Sequence, residues 1–381
     1  MRNVLDDVYG SLLVVRPPVP VTVNKAGANY KSEVAHLSYS PRTAYDEWLG
    51  VCEGILALGG DALFDFEPED DPFLDQGDLR VDAAGNIQPL AGGAHLGQID
   101  QVLTGRVFAA NGPWVVIEDR KMRALLPHML THRLEEEGYY RRLLARMAEA
   151  GGYELSVAKN PHRWEGMADV AVVGDRVVLT YTVPGHYDQN TTPKTQRSVR
   201  EGVQYAADFA GVPAGARLYA ELVYPHFHGD TVHFGARPAA GGARLVHYAG
   251  GLWGDGATRV AAALEAGAIL PIDREDAVAQ YAGNSRQVER GVLVPDGVSA
   301  GFEGMLREQG LAVRRLPLFE LFGKAGGGPA CATLYLPRNL ELPADFPLRY
   351  SVRREEARAR RERIPEQVQV DAGWFEGRKR G

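Results

Sequence analysis

The chain has 381 residues, enough for two average domains or one large one, and at 45% hydrophobic and 24% charged it should fold around an ordinary globular core. A net charge of −7 and a pI near 5.9 argue against a general nucleic-acid binder, and no apolar run approaches membrane-spanning length. The two cysteines, Cys52 and Cys331, make no disulfide framework and fit a reducing cytoplasm, and the opening residues Met1 to Asp7 do not read as a signal peptide.

In chain order, Leu12 to Val15 reads as a strand stopped by Pro17-Pro18. Pro41 to Leu58 reads as an amphipathic helix with Ser40 as N-cap and Gly59-Gly60 as its end. Phe64 to Phe66 is a candidate strand. Residues 65–82 then carry eight acidic side chains, which predicts a solvated insertion at about 67–106 with a hairpin around Ala83 to Asn86. Val107 to Ala110 and Trp114 to Ile117 are strand candidates, and Leu134 to Glu149 is a helix with Tyr140, Leu143, Leu144 and Met147 on one face. Strands follow at Glu154 to Val157, Val170 to Val173, Arg176 to Tyr181 and Arg217 to Val223, with a loop over 183–195 and a helix from Ser198 to Ala210. A helix over Gly256 to Ala266, strand Val292 to Pro295, helix Gly301 to Gln309 and strand Ala312 to Pro317 lead to the run Lys324 to Thr333 and the apolar segment Leu334 to Pro337. Strands and helices alternate every fifty to sixty residues, and polar clusters fall at strand ends, where α/β folds place their sites. Residues 349–381 hold ten basic and six acidic groups and read as a solvated extension.

Four clusters carry candidate chemistry. Cys331 follows Gly326-Gly327-Gly328-Pro329-Ala330, where glycines let the backbone approach a neighbour closely. It reads either as a thiolate nucleophile or as a small buried residue on a core strand, the reading that Cys52 takes on its helix. His226-Phe227-His228-Gly229-Asp230-Thr231-Val232-His233 suits an imidazole oriented by a carboxylate. The same run also resembles a His-x-His-x-Asp zinc cluster, although Thr231 stands where that pattern has another histidine. Glu165 and Asp169 flank small residues and can grip a guanidinium fork, or can belong to a turn. Asn111, between two strand candidates, is by itself an ordinary turn former.

Taken in order, Asn111, Glu165-x-x-x-Asp169, His228-x-Asp230 and Gly-Gly-Gly-x-x-Cys331-x-Thr resemble the guanidine-modifying superfamily of arginine deiminases, dihydrolases, dimethylargininases and amidinotransferases. The resemblance covers roughly residues 10–340 and implies an α/β fold of the pentein type, a fivefold pseudosymmetric propeller with its site on the axis. It implies one catalytic domain over 1–345 and a charged extension over 346–381. By position, Cys331 would attack the guanidino carbon and His228 would act as general acid and base. Asp230 would orient His228 and face the substrate, Glu165 would bind guanidinium nitrogens, and Asp169 and Asn111 would complete the substrate site. Asn111 stands where dihydrolases carry asparagine and deiminases aspartate, and Ala330 stands where relatives carry arginine or histidine. The expected partner is a small guanidino compound. No cofactor, metal, nucleic acid or membrane is expected, and a homo-oligomer is allowed. An amidinotransferase, a zinc-dependent hydrolase and a binding protein without turnover remain as alternatives. Arg133, Arg197 and Arg286 are candidates to anchor a substrate carboxylate.

Overall fold

The computed structural model describes residues 4–18, 38–65, 79–81, 87–89, 109–129, 136–187, 196–239, 241–324 and 327–362, with 364, 366, 368 and 369. Helix α1 (Pro41–Ala57) starts as its sequence predicts: the Ser40 side chain accepts from the Thr43 N–H, and Pro41 supplies a preset φ without wasting a donor. Its face of Ala44, Tyr45, Trp48, Val51, Cys52 and Ile55 is buried, so Cys52 is a packing residue. Helices α2 (Glu136–Gly151), α3 (Arg200–Phe209), α4 (Gly256–Ala263) and α5 (Ala300–Glu308) repeat the role in successive units, and α5 is again capped by a serine, Ser299.

Among the described residues there are five three-stranded sheets with one shared topology. A first strand pairs antiparallel with a middle strand, a helix follows, and the chain returns parallel on the far side of the middle strand. The units with Trp114–Glu118, Val170–Val173, His233–Ala236 and Arg286–Val288 as first strands are continuous in sequence. The remaining sheet is closed by both ends of the fold: Thr333–Tyr335 is the first strand, pairing antiparallel with Leu12–Val15, which pairs parallel with Asp61–Leu63. Middle strands such as Arg176–Tyr181 and Gly291–Pro295 are covered on both faces, which explains why they read as continuous apolar runs.

A tight turn precedes each first strand: Ala109–Asn111, Gly166–Asp169, Gly229–Thr231, Ala282–Asn284 and the turn around Cys331. These turns are bonded into a closed ring. Asn111 Nδ2 donates to the Glu165 carbonyl oxygen (2.8 Å), the Gly229 N–H to Asp169 Oδ1 (2.9 Å) and Asn284 Nδ2 to the Asp230 carbonyl oxygen (3.0 Å). The Ala330 N–H donates to the Asn284 carbonyl oxygen (2.9 Å), and the Ala110 N–H to that of Cys331 (3.0 Å). Such closeness requires glycine at Gly166, whose φ is +80° and where a Cβ would sit 2.4 Å from the Asn111 carbonyl carbon.

Several boundaries differ from the sequence reading. The strand before the insertion is Asp61–Leu63 rather than Phe64 to Phe66, and Phe66 lies outside the described residues. Ala109–Asn111 is a helical turn and not the end of a strand. The acidic insertion lies mostly outside the described residues, but Leu79–Val81 pairs antiparallel with Ile87–Pro89, giving the expected hairpin. Residues 188–195 of the predicted loop, and Arg133, also lie outside them.

The reading of the tail as a solvated extension does not hold for α6 (Tyr350–Arg361). Tyr350 and Ala357 are fully buried, and the Tyr350 ring meets Trp48 and Phe64 at 6.3 and 6.1 Å. Tyr45 Oη donates to the Ala357 carbonyl oxygen at 2.9 Å, while Glu53 takes Tyr350, Arg354 and Arg358, and Asp46 takes Arg361. The arginines that suggest a solvent face are partly matched by acids of α1. No helix among the described residues is long and apolar enough to cross a membrane.

Candidate active site

The ring of turns gathers the predicted residues, but pairs them differently from the expectation. Glu165 is wholly buried at the start of its turn, its N–H donating to Ser198 Oγ. His228 is extended, with Nε2 2.6 Å from Glu165 Oε2, and its ring lies against Phe227. The chain turns at Gly229, so Asp230 meets Cys331 instead: Cys331 Sγ donates to Asp230 Oδ2 at 3.3 Å. The expected His228–Asp230 couple is therefore replaced by a His228–Glu165 pair and a Cys331–Asp230 pair.

Glu165 already holds a guanidinium, because Arg197 Nη1 lies 3.0 Å from Oε2 and its head sits 5.5 Å from the Phe227 ring. Asp169, expected to bind substrate, is committed to the architecture. Oδ1 accepts from Thr180 Oγ1 (2.7 Å) and the Gly229 N–H (2.9 Å), and Oδ2 from Ser198 Oγ (2.5 Å). It holds the His228 turn in place. Asn111 likewise has its Nδ2 on the main chain of Glu165.

Cys331 is 5% exposed. Burial, and then the Asp230 charge, push its thiol well above the ordinary range, while an Asn284 hydrogen bond and the Arg286 charge pull the other way. Burial also raises Asp230, countered by the charges of His228 and Arg286. Without a ligand, burial and the neighbouring Asp230 favour the thiol over the thiolate at Cys331. Arg286 organises this turn: Nε donates to Thr333 Oγ1 (2.8 Å), and Nη2 to the carbonyl oxygens of Ala330 (2.7 Å) and Thr333 (3.0 Å).

Asn284 was not anticipated. Its side chain touches both Cys331 and the Asp230 main chain. A signal existed: Ala282-Gly283-Asn284-Ser285 before its strand echoes Ala109-Ala110-Asn111-Gly112 before its own.

The zinc alternative loses its ligand set. Among the described residues no three His, Cys, Asp or Glu side chains are placed to hold a metal ion. His226 Nδ1 meets Thr231 Oγ1, His233 packs beside His247 at 5.6 Å across paired strands, and His228 belongs to Glu165. Burial lowers His226 and His247 to about 4, and with help from its two neighbours lowers His233 well below the ordinary imidazole range, so all three are neutral core imidazoles at pH 7.

Comparison with solved structures agrees with this architecture. The N-terminal domain of ArgZ, an arginine dihydrolase from the ornithine-ammonia cycle in cyanobacteria, superposes with a TM-score of 0.60 over 86% of this chain and 97% of that one, at 20% identity; that structure is a cysteine-to-serine mutant bound to substrate. The chain has the pentein fold. A second pentein structure, AgrE with ornithine and NAD+, gives a TM-score of 0.60 at 21% identity over 88% of this chain but only 40% of that one. Dimethylarginine dimethylaminohydrolase, as a histidine-to-glycine adduct with S-methyl-L-thiocitrulline, gives 0.54 at 13% identity over 86% and 100%. An ArgZ domain with an asparagine-to-serine change is covalently bonded to a reaction intermediate. No protein-family model matches the chain, and no curated protein matches it.

Proposed function

We propose that the chain is a hydrolase of a guanidino compound, of the arginine dihydrolase or deiminase type, acting through a covalent S-amidino adduct on Cys331. The observation that carries this reading is the placement of the Cys331 sulfur against the Asp230 carboxylate, inside a ring that also bears a His–Glu pair already gripping a guanidinium. The pentein relatives named above include an arginine dihydrolase and structures with covalent intermediates, which supports the assignment.

The free site disfavours a thiolate, so a cation is needed to switch it on. A substrate guanidinium beside Asp230 would neutralise the charge that holds the thiol proton and so favour ionisation. Carboxylates would fix the guanidino carbon near the sulfur, lowering the entropic part of the barrier. The sulfur passes its proton to His228, and the thiolate forms an S–C bond as the C=N pair moves onto nitrogen. The C–N bond then breaks as His228 protonates the departing nitrogen, and ammonia leaves. Water, giving its proton to His228, adds to the amidino carbon; the C–S bond breaks and a ureido product is released with the thiolate. In a dihydrolase the ureido product would pass through the same steps, releasing a second ammonia and a carbamate that loses carbon dioxide to leave the amine. All these groups come from the chain, so the steps call for no metal or organic cofactor.

The test is incubation with a panel of guanidino compounds, with ammonia, urea and ureido products quantified. Two ammonia per substrate support the dihydrolase and one the deiminase. Product that appears only when an amine is added identifies an amidinotransferase. No turnover, with Cys331 unprotected from alkylation by every compound, overturns the reading.

A further inference from the structure

Asn284 is the ring residue that the mechanism above leaves unused, and it touches the sulfur directly. Its side chain is fully buried. Oδ1 accepts from the Cys331 N–H at 3.1 Å, while Nδ2 donates to Cys331 Sγ at 3.1 Å and to the Asp230 carbonyl oxygen at 3.0 Å. These partners fix the amide orientation. Exchanging its oxygen and nitrogen would set an NH2 against an N–H and an oxygen against a carbonyl, so it is the N–H that faces the sulfur.

A neutral thiol gains little from a donor at that position, whereas a thiolate gains a charge-assisted hydrogen bond. The other nearby candidates do not fill this role. Arg286 has its donors on Thr333 and the Ala330 carbonyl, so it acts on the sulfur only through space. Ala330, immediately before the cysteine, has no polar side chain. Asp230 opposes the thiolate.

We propose that Asn284 is a catalytic residue whose side-chain N–H stabilises the Cys331 sulfur as a thiolate, when it attacks and again when it leaves the covalent adduct. This rests on Cys331 being the nucleophile. It adds a role that the ordered motifs did not assign: the Ala282–Asn284 turn supplies the anion-stabilising donor from the unit next to the nucleophile's own.

The test is the pH profile of Cys331 alkylation by iodoacetamide, with no guanidino compound present, in the native chain, N284D and N284A, each checked for a cooperative thermal transition. N284D keeps the acceptor for the Cys331 N–H and exchanges the donor for an oxygen. Its alkylation midpoint should rise by at least about one pH unit, which makes the reaction at pH 7.5 about tenfold slower or more. N284A should shift in the same direction. An unchanged midpoint in N284D, or a defect in N284A that N284D restores, would show that the amide only holds the turn, and the proposal falls. If N284D does not fold, N284A decides alone: a raised midpoint supports the role and an unchanged one overturns it. Because the readout needs no turnover, the two ideas fail separately. Turnover of a guanidino compound with an unmoved midpoint removes Asn284 alone. A raised midpoint with no turnover of any compound keeps the donor role and removes the guanidino reading.

Discussion

Replacing Asp230 by asparagine should move two reactions of the same sulfur in opposite directions. The change removes a carboxylate while conserving side-chain size. Cys331 Sγ lies 3.3 Å from Asp230 Oδ2, and Oδ1 is buried with no hydrogen-bond partner among the described residues, so the carboxylate is poorly screened. A full charge at that separation opposes thiolate formation by about 5 kcal/mol at an effective dielectric near 20. This is a ceiling, because burial raises the pKa of Asp230 itself and the charges of His228 and Arg286 offset it. Halving the figure leaves a fall of about 2 pH units in the thiol midpoint on mutation. Alkylation of Cys331 at pH 7.5, read by peptide mass, should therefore quicken by roughly 10- to 100-fold in D230N, with fully buried Cys52 as the internal control. Turnover should move the other way: kcat/KM for the guanidino substrate should fall by about 100-fold or more, since the cation loses the carboxylate that receives it. A midpoint that stays or rises would refute the idea that Asp230 holds the proton on sulfur. A parallel fall of both rates would indicate that the substitution merely disorders the turn.

Acid stability should depend on the buried imidazoles. His247 is held at about 4 when folded against an ordinary 6.5, so the unfolded chain binds more protons between those limits and stability is lost as pH falls from 6.5 toward 4. From pH 8 to 5 this group alone removes about 2 kcal/mol, and H247F should flatten the acid limb by that amount in denaturant titrations. Glu47, raised to about 7 by burial, works in the opposite sense, so the quantity to compare is the mutant difference and not the parent's own curve; equal slopes would refute the assignment. For α6, Y350A removes a buried ring that meets Trp48 and Phe64 and a hydroxyl bonded to Glu53, a loss of about 3–5 kcal/mol. The thermal midpoint should drop by several degrees, and an unmoved one would restore the picture of a solvated tail.

How much of this was legible depended on whether the cause was local. Helix α1 announced itself through Ser40-Pro41 and its buried spacing, and Val170–Val173 and Gly291–Pro295 through unbroken apolar runs. The strands His233–Ala236 and Arg244–His247 escaped notice, because histidine, glycine and arginine disguise segments whose pairing and burial come from neighbouring units. The chemistry of Cys331, His228 and Glu165 singled them out as candidates, but not their pairing: His228 meets a carboxylate 63 residues upstream rather than the one two residues on. Asp169 was assigned to substrate because its three donors, Thr180, Ser198 and Gly229, lie 11 to 60 residues away. The α6 arginines were assigned to solvent because Glu53 and Asp46 lie some 300 residues upstream.

The position of Cys331 is therefore a property of closure. Cys331 reaches the ring only when Thr333–Tyr335 pairs with Leu12–Val15, with Val15 opposite Thr333, and its carbonyl then accepts from Ala110 to join the last turn to the first. That closure sets two opposed groups on one sulfur. Asp230 keeps the proton on it, and Asn284 offers an N–H that matters once the proton is gone. The two are mechanically linked, since the same Asn284 nitrogen also holds the Asp230 main chain. A cation entering beside Asp230 would cancel one side of this opposition and leave the other intact, so that a sulfur inert in the empty site would become nucleophilic when a guanidinium is there to be attacked. An uncharged isostere of the substrate should leave the sulfur protonated, and a protein that alkylates equally fast with and without a bound guanidinium analogue that leaves the sulfur accessible would not be working in this way.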